Sequence, residues 1–282
     1  MRWVSGVVLG CAAVLACTGL AAAEMPFVEW RDLSDRDITP QGRLVLSLGD
    51  KPWKHTETEH FVYHFRDLKE AETVFLHAEV YYGWVKEFFG VEKDGWSKKA
   101  HVFIFEDKDL WKEFKAKARA GTSAEAFTNG WELYIYRNPF WLAPQKTLAH
   151  ELTHVIVFRF LKGPIPLFLN EGVAEYISTR AVATRFEGDE YSVRLLGPIA
   201  EKDYIPLNQL IRLEVYPEAG LELYYKESEH LVRYLVQLGG RGSFYEMLFE
   251  VSKGTPFNQA ILTFYKTSLE NLETQFRRFS TQ

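Results

Sequence analysis

Apolar and polar positions change rhythm along the chain. Glu59-His60-Phe61-Val62-Tyr63-His64-Phe65 alternates with a period of two, and His101-Val102-Phe103-Ile104-Phe105 is an apolar run bounded by charge; both patterns predict strands. Between them, Leu68 to Phe89 places apolar residues at helical spacing and halts at Gly90, which predicts a long helix. A third strand is expected at Trp131-Glu132-Leu133-Tyr134-Ile135-Tyr136, opened by the turn signal Asn129-Gly130 and closed by Asn138-Pro139. Beyond Pro144 the pattern becomes helical. Lys162-Gly163-Pro164 is expected to end one helix with Gly163 in the left-handed position, and Ser243-Phe244-Tyr245-Glu246 reads as a capping box at the start of another. Thr255-Pro256 reads as a helix start with proline at the first helical position. The expected fold is α+β, a mixed α/β N-terminal half followed by a helical C-terminal half.

The N-terminus is of a different kind. From Trp3 to Ala23 there is no charged side chain, and the run follows Arg2 and closes on Ala21-Ala22-Ala23. That is the layout of a secretory signal peptide over residues 1–23. Two other readings stay open: an uncleaved membrane anchor, and a lipid anchor at Cys17, since Val14-Leu15-Ala16-Cys17 is similar to a bacterial lipobox. All three place the folded part outside the cytoplasm, periplasmic, secreted or tethered to the envelope. Both cysteines, Cys11 and Cys17, lie in this segment, so a chain cut after Ala23 can form neither a disulfide framework nor a Cys-ligated metal site. The net charge of −5 offers no basic stripe to displace counterions from nucleic acid. After position 24 no further stretch reaches membrane length.

Where the two halves meet stands His150-Glu151-Leu152-Thr153-His154. On a helix, positions i and i+4 are about 40° apart around the axis and about 6 Å apart along it, so two imidazoles can share one metal ion. Glu151 lies on the adjacent edge, placed to take a proton from water rather than to join the ligands. Thr147-Leu148-Ala149 before the motif and Val155-Ile156-Val157-Phe158 after it make this helix apolar nearly all round, a setting in which three titratable groups are costly to bury without a partner. A catalytic zinc needs a third protein ligand. If the chain reverses through Gly163-Pro164-Ile165-Pro166, a returning helix brings Glu171 to the level of the histidines, with Glu175 one turn on to orient a ligand imidazole. Small residues Gly172 and Ala174 suit a close helix approach there.

This combination, His150-Glu151-x-x-His154 followed by Asn170-Glu171-Gly172-x-Ala174-Glu175-Tyr176, resembles the gluzincin metallopeptidases, in particular the peptidase-MA-like family of exported bacterial proteins. The resemblance is carried by residues 144–180, with Glu59-His60-Phe61-Val62, Val102-Phe103-Ile104-Phe105 and a preceding edge strand in a matching order. It implies a zincin-like catalytic domain over residues 55–180, an N-terminal extension over 24–54, and a helical subdomain over 181–282 that closes the cleft. It implies one Zn2+ per chain held by His150, His154 and Glu171, with Glu151 as general base and Asn170 and Glu175 in support. It further implies hydrolysis of peptide or protein substrates. The exopeptidase signature of the clan's aminopeptidases, Gly-x-Met-Glu-Asn, has no counterpart; Gly130-Trp131-Glu132-Leu133 is no substitute. An endopeptidase is therefore expected. The family's Tyr-x-x-Ser helix start matches Tyr225 to Ser228, which makes Tyr225 the expected oxyanion partner, ahead of Tyr224 and His230. A zinc-stabilised pseudo-peptidase or envelope binding module is the alternative.

Other candidates weigh less. His60 and His64 are expected to share a strand face without a metal, and His55, His77 and His101 to stand apart from any constellation. Gly239-Gly240-Arg241-Gly242 lacks the Lys-Ser/Thr of a phosphate loop and is expected to join two helices. The aromatics Tyr134-Ile135-Tyr136 and Phe140-Trp141 are read as core, with an edge strand that pairs with extended peptide as the sharper alternative.

Overall fold

The computed structural model describes residues 26–91, 96–118, 125–137, 144–183 and 197–282. The expected signal segment with Cys11 and Cys17, together with Asn138-Pro139 and Phe140-Trp141, lies outside the described residues. Strands β1 (Lys54–Glu57), β2 (Phe61–Phe65), β3 (Ala100–Phe105), β4 (Ala126–Thr128) and β5 (Glu132–Tyr136) form one sheet of order β1-β2-β3-β5-β4. The three inner strands run parallel, and β1 and β4 pair antiparallel at the edges. Every residue of β2, β3 and β5 is buried, as expected for strands covered on both faces.

Alternation sorts the strand side chains into two layers. Phe61, Tyr63, Phe65, Val102, Ile104, Leu133 and Ile135 belong to the main core, which also takes in α2 (Leu68–Phe89) and α4 (Pro144–Leu161). Phe103, Phe105, Tyr134 and Tyr136 face the other way, where α1 (Pro40–Leu46) supplies Val45 and α3 (Lys108–Ala118) supplies Leu110, Trp111 and Phe114. Residues 38–48, expected as part of an extension, thus help cover the second face of the sheet. Helix α2 runs over the predicted span. Asp67 caps its first turn, and Gly90 ends it at φ 63°, a left-handed conformation that glycine adopts without steric penalty.

Beyond α4 come α5 (Leu167–Ala183), α6 (Leu207–Leu210), α7 (Leu221–Ser252), α8 (Phe257–Tyr265) and α9 (Leu269–Thr281). The mixed N-terminal half and helical C-terminal half match the expected fold class. Four local expectations are corrected. The left-handed residue after α4 is Lys162, φ 59°, not Gly163. Gly163 sits one position further on, where its N–H bonds the Phe158 carbonyl and an added Cβ would come within 3.3 Å of the Ser252 carbonyl oxygen. Ser243 does not start a helix; the break in α7 comes three residues earlier at Gly240, φ 77° and ψ 168°, so the glycine run does join two helical segments. Pro256 caps α8 from outside at ψ 139° rather than occupying its first turn. The edge position raised for Tyr134-Ile135-Tyr136 belongs to β4; β5 is an inner strand. Among the described residues, no helix is long and apolar enough to cross a membrane.

Candidate metal centre

Helix α4 is buried on most sides, with Leu148, Leu152, Val155 and Ile156 at 1% exposure or less. It ends in the Lys162–Gly163 turn, and Pro164-Ile165-Pro166 leads straight into α5, whose first N–H groups at Leu169 and Asn170 bond the Pro166 carbonyl. The reversal brings Glu171 back opposite the histidines. On its other side α5 lies so close to α7 that a Cβ at Gly172 would fall 2.4 Å from the Ser228 carbonyl oxygen, which explains the small residue next to Glu171. Ala174 is fully buried as well.

The three side chains read from the sequence converge. His150 Nε2 lies 3.0 Å from His154 Nε2 and 3.2 Å from Glu171 Oε2, and His154 Nε2 lies 3.5 Å from that same oxygen. Protons on the two imidazoles can serve both contacts to Glu171, but they leave the 3.0 Å approach of the two nitrogens without a hydrogen bond of its own. A single cation at their centre satisfies all three at once, and the triad could hold a metal ion. Behind it, Glu175 Oε1 approaches His150 Nδ1 at 3.1 Å while its other oxygen accepts from Lys146 Nζ at 2.6 Å. Glu175 therefore occupies the orienting position read from the sequence. Lys146 was not singled out there, although it stands four residues before His150 on the same helix face.

Acidic and basic groups offset one another in this centre. Burial opposes protonation of His150, but hydrogen bonds and charges from Glu171 and Glu175 outweigh it and raise the imidazole to about 10. Burial would raise both carboxyls, yet the histidines hold Glu171 far below its ordinary range, and His150 with Lys146 holds Glu175 at about 2. Glu151 differs: burial raises it above its ordinary value, and the neighbouring histidines only partly offset this. A carboxyl raised in this way is a better proton acceptor than an exposed one.

Tyr225 is half-buried near the start of α7, its ring centroid 6.2 Å from that of His150. Tyr224 is fully buried, and His230 is buried with its ring against Phe279. Asn170 is half-buried in the first turn of α5, and among the described residues its carboxamide makes no hydrogen bond. His154 Nδ1 is also buried without a partner among the described residues. One participant gave no sequence signal at all. Tyr216, on the segment between α6 and α7, donates its hydroxyl to Glu171 Oε1 at 2.7 Å, and its ring lies 6.3 Å from that of Tyr225.

Away from this centre the histidines are not isolated as expected. His55 and His64 are direct cross-strand partners in β1 and β2, their Nδ1 atoms 2.8 Å apart, and His64 Nε2 lies 2.8 Å from His101 Nδ1. The three make a buried chain on the sheet face opposite α4, with Asp35 3.8 Å beyond His101. His60 does not share that face; it precedes β2 and stacks on Tyr82 of α2, with Glu79 at 2.7 Å. His77 bonds the Thr73 carbonyl within its own helix. Neither a scan against protein-family models nor a search of curated proteins found a match to this chain.

Proposed function

We propose that the protein is an exported, zinc-dependent metallohydrolase that cleaves peptide bonds within protein substrates. The observation that carries this reading is the donor geometry. Zinc bonds of 2.0–2.1 Å in a tetrahedron separate neighbouring ligand atoms by about 3.3 Å. The separations of 3.0, 3.2 and 3.5 Å among His150, His154 and Glu171 bracket that value. Two nitrogens and one oxygen also form the kind of ligand set used at catalytic zinc, which keeps a fourth position for water or substrate.

A zinc ion held there supplies Lewis acidity toward water and the scissile carbonyl. Glu151 takes the proton from the attacking water and returns it to the leaving amine nitrogen, a role helped by the burial that raises its carboxyl. Glu175 fixes the ring of His150 through Nδ1 and is itself held by Lys146. Tyr225, whose ring lies 6.2 Å from that of His150, donates to the developing oxyanion in this reading. An extended substrate is accommodated by β4, the last strand of the sheet, which packs against α4. Export is supported by the uncharged run from Trp3 to Ala23.

The test is Glu151→Gln, assayed on a generic unfolded protein substrate with and without a chelator. Zinc content stays at the wild-type level, and turnover falls by about 10²–10⁴-fold, the usual contribution of a general base. A Glu151→Gln protein with normal turnover rejects the mechanism.

A further inference from the structure

The two oxygens of Glu171 have different surroundings. Oε2 faces the imidazole nitrogens at 3.2 and 3.5 Å, whereas Oε1 accepts the Tyr216 hydroxyl at 2.7 Å. A carboxylate can bind a cation through one oxygen or both, and the choice alters how many positions around the ion remain for reactants. A phenol hydroxyl donating to one oxygen engages a lone pair and pins the carboxylate plane. Tyr216 is poorly explained as packing: half of its surface is exposed, Val215 before it is 73% exposed, and the segment reaches the site from outside both ligand helices. Its hydroxyl nonetheless ends on a carboxylate that is 1% exposed.

We propose that Tyr216 is a positioning residue that restricts Glu171 to single-oxygen coordination and thereby keeps the fourth position of the ion open to water and substrate. The inference rests on the zinc reading above. Tyr216 acts through Glu171 and not on the substrate, in contrast to Tyr225, which stands beside His150. Without the hydroxyl, Oε1 is free to turn inward, the coordination number rises, and water and substrate compete with a second protein oxygen.

The experiment replaces zinc with Co2+ in the full-length protein and compares wild type with Tyr216→Phe by visible absorption, which distinguishes four-coordinate from five-coordinate cobalt. The wild type gives the intense bands of a four-coordinate ion. Tyr216→Phe binds one ion per chain with weaker five-coordinate bands, and in the zinc form its kcat falls by about 10- to 100-fold, the range expected on losing a hydrogen bond that supports a ligand. Its thermal stability without metal stays within a few degrees of wild type. A wild-type protein that takes up neither cobalt nor zinc rejects the metal centre and this inference with it. Cobalt uptake by both proteins with identical spectra, or a five-coordinate wild type, overturns the role of Tyr216 alone.

Discussion

Glu175→Gln separates the two tasks assigned to Glu175, holding Lys146 and orienting His150. The carboxylate is 4% exposed, with Lys146 Nζ at 2.6 Å and His150 Nδ1 at 3.1 Å. Its displacement from 4.5 to about 2 corresponds to about 3 kcal/mol of native-state stabilisation, at about 1.4 kcal/mol per unit. A depressed carboxyl contributes fully above its unfolded value and loses its contribution as pH falls from about 4.5 to about 2. The metal-free Gln variant is therefore expected to be about 3 kcal/mol less stable at pH 7, within the cost of about 3–5 kcal/mol for removing one partner of a buried ion pair. That deficit narrows as pH falls below 4.5. Gln can still accept from His150 Nδ1 but brings no charge, so zinc affinity falls by about 10- to 100-fold. Urea titration of the metal-free protein reads the first effect, and competition with a chelator reads the second. A single Gln variant that matches wild type in both assays refutes the reasoning.

Gly172→Ala sets a Cβ 2.4 Å from the Ser228 carbonyl oxygen, which is backbone and cannot swing aside. It is expected to cost at least about 1–3 kcal/mol in urea titration and to weaken metal binding by shifting Glu171; a cost below about 0.5 kcal/mol contradicts the close helix approach. The histidine chain predicts acid sensitivity. Burial first, and then the charge of His101, holds His55 at about 4 against an ordinary 6.5, and burial likewise depresses His64 and His101. Stability from neutral His55 is complete above about 6.5 and is lost as pH falls toward 4, amounting to roughly 3 kcal/mol. A His55→Phe variant should show a flatter stability profile over that window; an unchanged slope counts against the coupling.

What could be read from the sequence was local. His150 and His154 are one turn apart, Glu171 follows a short Pro-Gly reversal, and Gly90 halts α2, so helical geometry alone places them. Lys146 was equally accessible, four residues before His150, but a lysine on an apolar helix carries no metal signature by itself. The histidine chain depends on β1 pairing with β2 in the register that sets His55 opposite His64, and on β3 lying beside them. No spacing along the chain encodes that register. Tyr216 reaches Glu171 from 45 residues away through a segment without regular pattern. Lys162 takes the left-handed position, and Gly163 follows one step later, where a Cβ would come within 3.3 Å of the Ser252 carbonyl oxygen. That contact is invisible until the C-terminal helices are in place.

His150, His154 and Glu171 are proposed to hold one zinc ion. Metal analysis of the purified full-length protein, repeated after extraction with chelator and dialysis against zinc, tests it most directly. One zinc per chain in wild type, and none in His154→Ala, is the predicted result. A wild-type protein that retains no zinc, or a His154→Ala protein that keeps it at full occupancy, would contradict the account.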